Sequence, residues 1–117
     1  MYGSQSLKAY ILTTKRLQDV VPSVCWMTNQ QLQDFLNISS ATRRRDASVL
    51  RALGLFPKSW SKRKGYDLKC LEVWWEFRQL HSLTDRHFAI TNIVQLMEIL
   101  TNEQQGQSNS RRNESAA

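Results

Sequence analysis

"TNQQLQDFLNISSATRRRDASVLRALGL", residues 28–55, holds two helical periods separated by three residues suited to a tight turn. Its opening "TNQQ" has the capping-box form, in which the Thr28 hydroxyl and the Gln31 side chain each satisfy a free backbone amide. Leu32, Phe35 and Leu36 supply the inner face of the first helix. Asn37 tolerates a left-handed conformation, Ile38 points inward to pin the turn, and Ser39 is a good N-cap. The second helix reaches about Leu53, where Gly54 supplies the stop. Near its front stand three successive arginines, Arg43, Arg44 and Arg45.

Three adjacent helical positions cannot all face solvent, so the phase of this helix decides what the arginines do. At about 100° per residue, Arg43, Ala47 and Leu50 share one face, whereas Thr42, Val49 and Leu53 share another. The more apolar second set predicts the buried face, with Leu50 serving both. Arg44 points outward under either phase. Arg43 and Arg45 then flank the core, their stems packed and their guanidinium groups reaching out.

Outward from this stretch the chain reads as mostly helical. Leu7, Tyr10, Ile11, Leu17 and Val21 repeat with helical spacing, Thr14 fills the stripe, and Pro22 ends a helix over 5–21. "LFPKSWSKRKGYDL" carries Pro, Gly and a basic, aromatic middle without helical period, and reads as a short two-stranded ribbon or extended loop over 55–66. Asp67 caps a core helix over 67–81 whose apolar band includes Trp74 and Trp75. Thr84 or Thr91 starts a last helix over 84–100, apolar around much of its circumference and suited to packing at home and against a second subunit. The polar residues 101–117 read as a disordered tail. Residues 1–100 thus form one expected domain.

Composition narrows the class. Four Trp, three Tyr and four Phe among 117 residues support a real core. Cys25 and Cys70 form no metal or disulfide pattern and read as buried reduced thiols. No apolar run spans a bilayer and no secretory leader pattern is present, so a cytoplasmic, nucleoid-associated location is expected. No P-loop, dinucleotide glycine pattern, nucleophile elbow or metal cluster occurs, so neither catalysis, cofactor, metal nor small-molecule ligand is expected. His81 and His87 lack acidic or thiol partners at useful spacing and read as surface or capping residues.

Charge points to a polyanion. Of sixteen basic residues, eight fall between Arg43 and Lys64, opposed there only by Asp46. Residues 28–55 resemble the DNA-binding unit of DeoR-type winged-helix repressors, through Thr28, Leu32, Ile38, Ser39, Ala41, Thr42, Arg44, Arg45, Asp46, Leu50, Gly54 and Leu55. More loosely, "GLF…KRKGYDLKCLEVWWEFRQL" over 54–80 is similar to the wing and helix of MerR-type and excisionase-like domains. The resemblance implies a mainly α winged helix-turn-helix with additional N- and C-terminal helices and a short β-ribbon wing. In the DeoR pattern the positions of Arg43 and Ala47 usually hold larger apolar residues, a departure in this chain.

The expected function is sequence-specific binding of double-stranded DNA as a transcriptional or mobile-element regulator, with a homodimer formed through the C-terminal or N-terminal helix. Expected DNA contacts are Ser39, Ser40, Arg43, Arg44, Arg45, Ser48 and Arg51 on the recognition helix and Lys58, Lys62, Arg63 and Lys64 on the wing. Arg can take the O6 and N7 of guanine together and also pairs with phosphate. A serine-capped helix start suits a phosphate as well. Two rival readings share the charge: an adaptor that keeps the same scaffold for an acidic protein, and single-stranded nucleic-acid binding through the 58–66 segment. Trp60 and Tyr66 there either stack on bases or support the wing.

Overall fold

The computed structural model describes the backbone of residues 4–56 and 65–116, and the side chains of 7–56 and 65–103. The described chain is mainly helical: α1 (Ser4–Thr13), α2 (Leu17–Val20), β1 (Trp26–Met27), α3 (Asn29–Leu36), α4 (Ser40–Ala52), β2 (Tyr66–Asp67), α5 (Leu68–Leu83) and α6 (Arg86–Ala116). β1 and β2 pair antiparallel, Trp26 opposite Asp67 and Met27 opposite Tyr66.

The local signals around the two central helices act as their chemistry requires. Thr28 and Gln31 close both halves of the capping box on α3. Asn37 is left-handed at φ 55°, and the Ile38 N–H returns to the Gln33 carbonyl at 3.0 Å. α4 ends in the same manner. Gly54 sits at φ 76°, its N–H bonds to the Arg51 carbonyl, and the Leu55 N–H bonds to the Leu50 carbonyl. Both endings satisfy carbonyls that a helix terminus otherwise leaves open. Ser39 caps α4 by accepting the Thr42 N–H, and Asp67 caps α5 by accepting the Cys70 N–H at 3.1 Å.

α5 is the centre of the core. Cys70, Leu71, Val73, Trp74, Phe77 and Leu80 are all buried on it, and Leu7, Leu17, Leu32, Leu50, Ile93 and Leu96 close over them from the other helices. Trp74 also meets the Tyr66 ring edge-on at 4.9 Å and the Phe56 ring at 5.4 Å. Trp75, expected in the core, is half-buried: it stacks on Phe35 at 5.6 Å.

Five further expectations change. The single helix over 5–21 is broken at 14–16. There the Thr13 and Thr14 hydroxyls bond back to the carbonyls of Ala9 and Tyr10, and Arg16 turns extended. The Lys15 carbonyl released by the break accepts from Trp75 Nε1 and Gln79 Nε2, each at 2.9 Å. Second, β2 pairs with β1, ahead of α3, so the described ribbon is not contained within 55–66. Gly65 makes that pairing possible. It holds φ 91°, and a Cβ there would overlap the Met27 carbonyl. Third, the last helix is capped by Asp85, whose Oδ1 accepts the Phe88 N–H at 2.8 Å, rather than by Thr84 or Thr91. Fourth, α6 runs from Arg86 to Ala116, past the end expected for it at residue 100. Its Glu and Gln are good helix formers, and no proline interrupts them. Fifth, Cys70 is buried but Cys25 is exposed.

Candidate nucleic-acid interface

The phase of α4 is the first fact of the site. Asp46, Ala47 and Leu50 are buried, Arg43, Thr42, Val49 and Leu53 are half-buried, and Ser40, Ala41, Arg44, Arg45, Ser48, Arg51 and Ala52 are exposed. The buried face is therefore centred between Asp46 and Ala47, not on Thr42, Val49 and Leu53 as the apolar count suggested. Polar residues can occupy this inner face because each one is partnered.

Asp46 is wholly buried, and its carboxylate is shared three ways. Oδ2 accepts from Trp74 Nε1 at 3.2 Å and pairs with Arg78 Nη1 at 3.3 Å, while Oδ1 pairs with Arg86 Nη1 at 3.2 Å. One residue of α4 is thus tied to both α5 and α6. Arg43 is tied the other way: its Nε donates to Gln33 Oε1 at 2.7 Å and its Nη1 to the Tyr66 hydroxyl at 3.3 Å. Asp46 and Arg43 together leave α4 one rotational setting.

That setting separates the expected contacts. Arg44 lies along its own helix, with Nε donating to the Ser40 carbonyl at 3.3 Å and Nη2 to Ser40 Oγ at 3.5 Å, and stays exposed. Arg45, Ser48 and Arg51 share the exposed arc with it, and no carboxylate pairs with Arg44, Arg45 or Arg51 among the described residues. Ser40 is exposed at the helix start, while the Ser39 hydroxyl is spent on capping and donates to Thr42 Oγ1 at 3.1 Å. Arg43 is turned inward instead, its Nε and Nη1 tied to α3 and β2. Lys58, Lys62, Arg63 and Lys64, with Trp60, lie outside the described residues. The flanks of that segment are described: Phe56 and Tyr66 meet with ring centroids 6.0 Å apart. Tyr66 is buried, so its ring supports the core.

Sequence reasoning gave Asp46, Arg78, Arg86 and Gln33 no place in the site. One signal points to the first of them. An aspartate four residues before Leu50 and seven before Leu53 sits within the apolar stripe, and a carboxylate there requires buried cationic or N–H partners. Which arginines supply them is set by partners 32 and 40 residues away.

The remaining titratable chemistry is structural. Burial pushes the Cys70 thiol up to about 12, against the lowering effect of Arg51, so this sulfur stays protonated and inert. Among the described residues no group of His, Cys, Asp or Glu could hold a metal ion, and no helix is long and apolar enough to cross a membrane. No protein-family model, curated protein or solved structure matches this chain.

Proposed function

We propose that this chain binds double-stranded DNA as a winged helix-turn-helix protein, with α4 entering the major groove and the basic residues of 58–64 acting as the wing, in the service of transcriptional or mobile-element regulation. One observation carries the reading. After every inward contact of α4 is assigned, its open arc holds Arg44, Arg45, Ser48 and Arg51, flanked by small residues at the helix start and free of acidic ones. Arg44, Ser48 and Arg51 follow a four-and-three spacing, which aligns them in one stripe along the helix. Two described residues beside the basic segment, Phe56 and Tyr66, are in ring contact, and Arg43 of α4 donates to the Tyr66 hydroxyl.

A homodimer belongs to this reading, because one such module supplies modest affinity and two read half-sites about one helical turn apart. Among the described residues of α6 no apolar side chain is exposed, whereas Leu12 of α1 is 85% exposed. The proposed contact is therefore α1. Sedimentation of Leu12→Glu beside the wild type tests it, with a shift toward monomer expected.

The deciding experiment titrates a duplex at several salt concentrations, with single-stranded DNA as competitor. Neutralising about five phosphates gives a log–log slope near −4 to −5. Replacing Arg44, Arg45 and Arg51 together by Ala flattens that slope by about 0.9 for each phosphate that is no longer neutralised. A folded triple variant with unchanged duplex affinity would remove α4 from the mechanism. Preference for the single strand would transfer the function to the 58–66 segment.

A further inference from the structure

The corner where α4, α5 and α6 meet holds more positive charge than its own ion pairs consume. Two guanidinium groups converge on the single Asp46 carboxylate, leaving a net charge of about +1. Each arginine has five N–H donors, and the bonds to Asp46 engage only Nη1 of Arg78 and Nη1 of Arg86. The two side chains are 24% and 28% exposed, so part of each planar fork faces solvent. Asp46 itself is fully buried and held by Trp74, so both forks are fixed before any ligand arrives.

The position of this corner follows from the helical wheel. With Ser40 at 0°, Arg43 falls at about 300° and Asp46 at about 240°. Arg43 faces α3 and β2, and Asp46 faces α5 and α6. Moving outward from Asp46 on its own side, Thr42 and Val49 at about 200° and 180° are half-buried, and Arg45 at about 140° is exposed. Arg45 thus marks the edge of the open arc on the side of Arg78 and Arg86. A helix in the major groove has a phosphate strand along each side, and Arg is suited to phosphate by its flat, multiple-donor fork.

We infer that Arg78 and Arg86 form a phosphate site beside α4, which with Arg45 takes the phosphodiester backbone of a DNA duplex along the edge of the open arc that lies nearest Asp46. This rests on the duplex-binding reading above. Asp46 acts as a positioning residue for the pair: it holds the two forks side by side while cancelling only half of their charge.

The test measures binding of the full chain to a random-sequence DNA duplex by fluorescence anisotropy across a range of salt. In Arg86→Gln, Arg78 still covers Asp46. The expected result is a log–log slope smaller in magnitude by about 0.9, with affinity lowered alike for all duplex sequences. Arg86→Lys restores the slope. A slope unchanged in Arg86→Gln, with only thermal stability reduced, overturns the phosphate site and leaves a fold clamp. Should Arg86→Gln not fold, the wild type answers by NMR: the Nε–H signals of Arg78 and Arg86 shift on duplex addition, and unmoved signals overturn the proposal. Arg44→Ala/Arg51→Ala is run in parallel. No duplex binding by the wild type ends the functional reading and this site together. Weakened binding in that double variant with an unchanged Arg86→Gln slope ends this site alone.

Discussion

Two buried acids, one at each side of α5, are built from the same parts and balanced differently. Asp46 receives an indole N–H from Trp74 and two arginines, Arg78 and Arg86. Glu76, 3% exposed, accepts from the Tyr10 hydroxyl at 2.8 Å and from Gln79 Nε2 at 3.4 Å, and it forms an ion pair with one arginine, Arg16, at 3.2 Å. Arg16 lies over the Tyr10 ring at 5.3 Å and also donates to the Thr14 hydroxyl. Burial raises the proton affinity of Glu76, and the hydrogen bond from Tyr10 and the charge of Arg16 offset this only in part. The same burial, with Glu76 beside it, pushes the Tyr10 phenol upward, so it stays a donor. The cation-rich corner adjoins the open arc of α4. The cation-poor one borders a cleft of about 250 Å³ lined by Ile11, Leu17, Met97 and Leu100, with Glu72 beside it. Residue type alone does not decide what a buried acid does; the number of cations that reach it does.

The largest test of this contrast is Asp46→Ala. It strands two guanidinium groups and a buried indole N–H, and about 3–5 kcal/mol of stability is expected to be lost in urea denaturation. Glu76→Ala costs less, about 1–3 kcal/mol, because losing the Tyr10 acceptor is offset by removing a poorly solvated carboxylate. Equal losses at the two positions would break the comparison.

A pH series sharpens it. Glu76 has a folded-state value raised above its ordinary 4.5. Its contribution to stability is therefore full below pH about 4.5 and is lost as pH climbs through the raised folded value. Half-buried Glu72, raised by burial against the pull of Lys69, acts in the same direction. Stability of Glu76→Gln relative to wild type should accordingly improve as pH rises from about 4.5 toward neutrality, measured as the difference between the two denaturation midpoints. A flat difference would refute the assigned shift.

The smallest expected effect is that of Arg43→Gln. Losing its donors to Gln33 and the Tyr66 hydroxyl costs about 1 kcal/mol and leaves the salt slope of duplex binding unchanged, because this arginine belongs to the inner set. A changed slope would return Arg43 to the contacting face.

How much of this could be read from the sequence depends on how far away each partner lies. Thr28, Asn37, Ser39, Gly54 and Asp67 were legible because a cap and its amide or carbonyl are within five residues. The wide apolar band of α5 was legible as a core helix for the same local reason. The phase of α4 was not, since Arg43 and Asp46 become acceptable inside only through Tyr66, Arg78 and Arg86. The break before α2 escaped periodicity because Thr14 fits the stripe, while the groups that take up the Lys15 carbonyl lie on α5. A two-residue strand such as β1 carries no pattern at all, and its pairing became visible only through its opposite partner. Of the expected contact residues on α4, Ser40, Arg44, Arg45, Ser48 and Arg51 are exposed, and Arg43 is turned inward.

The chain's two thiols differ in a way that serves the bench. With the Cys70 sulfur sealed inside α5 and Cys25 out in the open next to Trp26, a maleimide dye meets a single attachment point on the native protein. That point lies one residue before β1 and a few before α3, at the Trp26–Asp67 end of the strand pair. A fluorophore there needs no engineered cysteine, leaves every side chain of the open arc untouched, and would follow each titration described above from a fixed post on the scaffold.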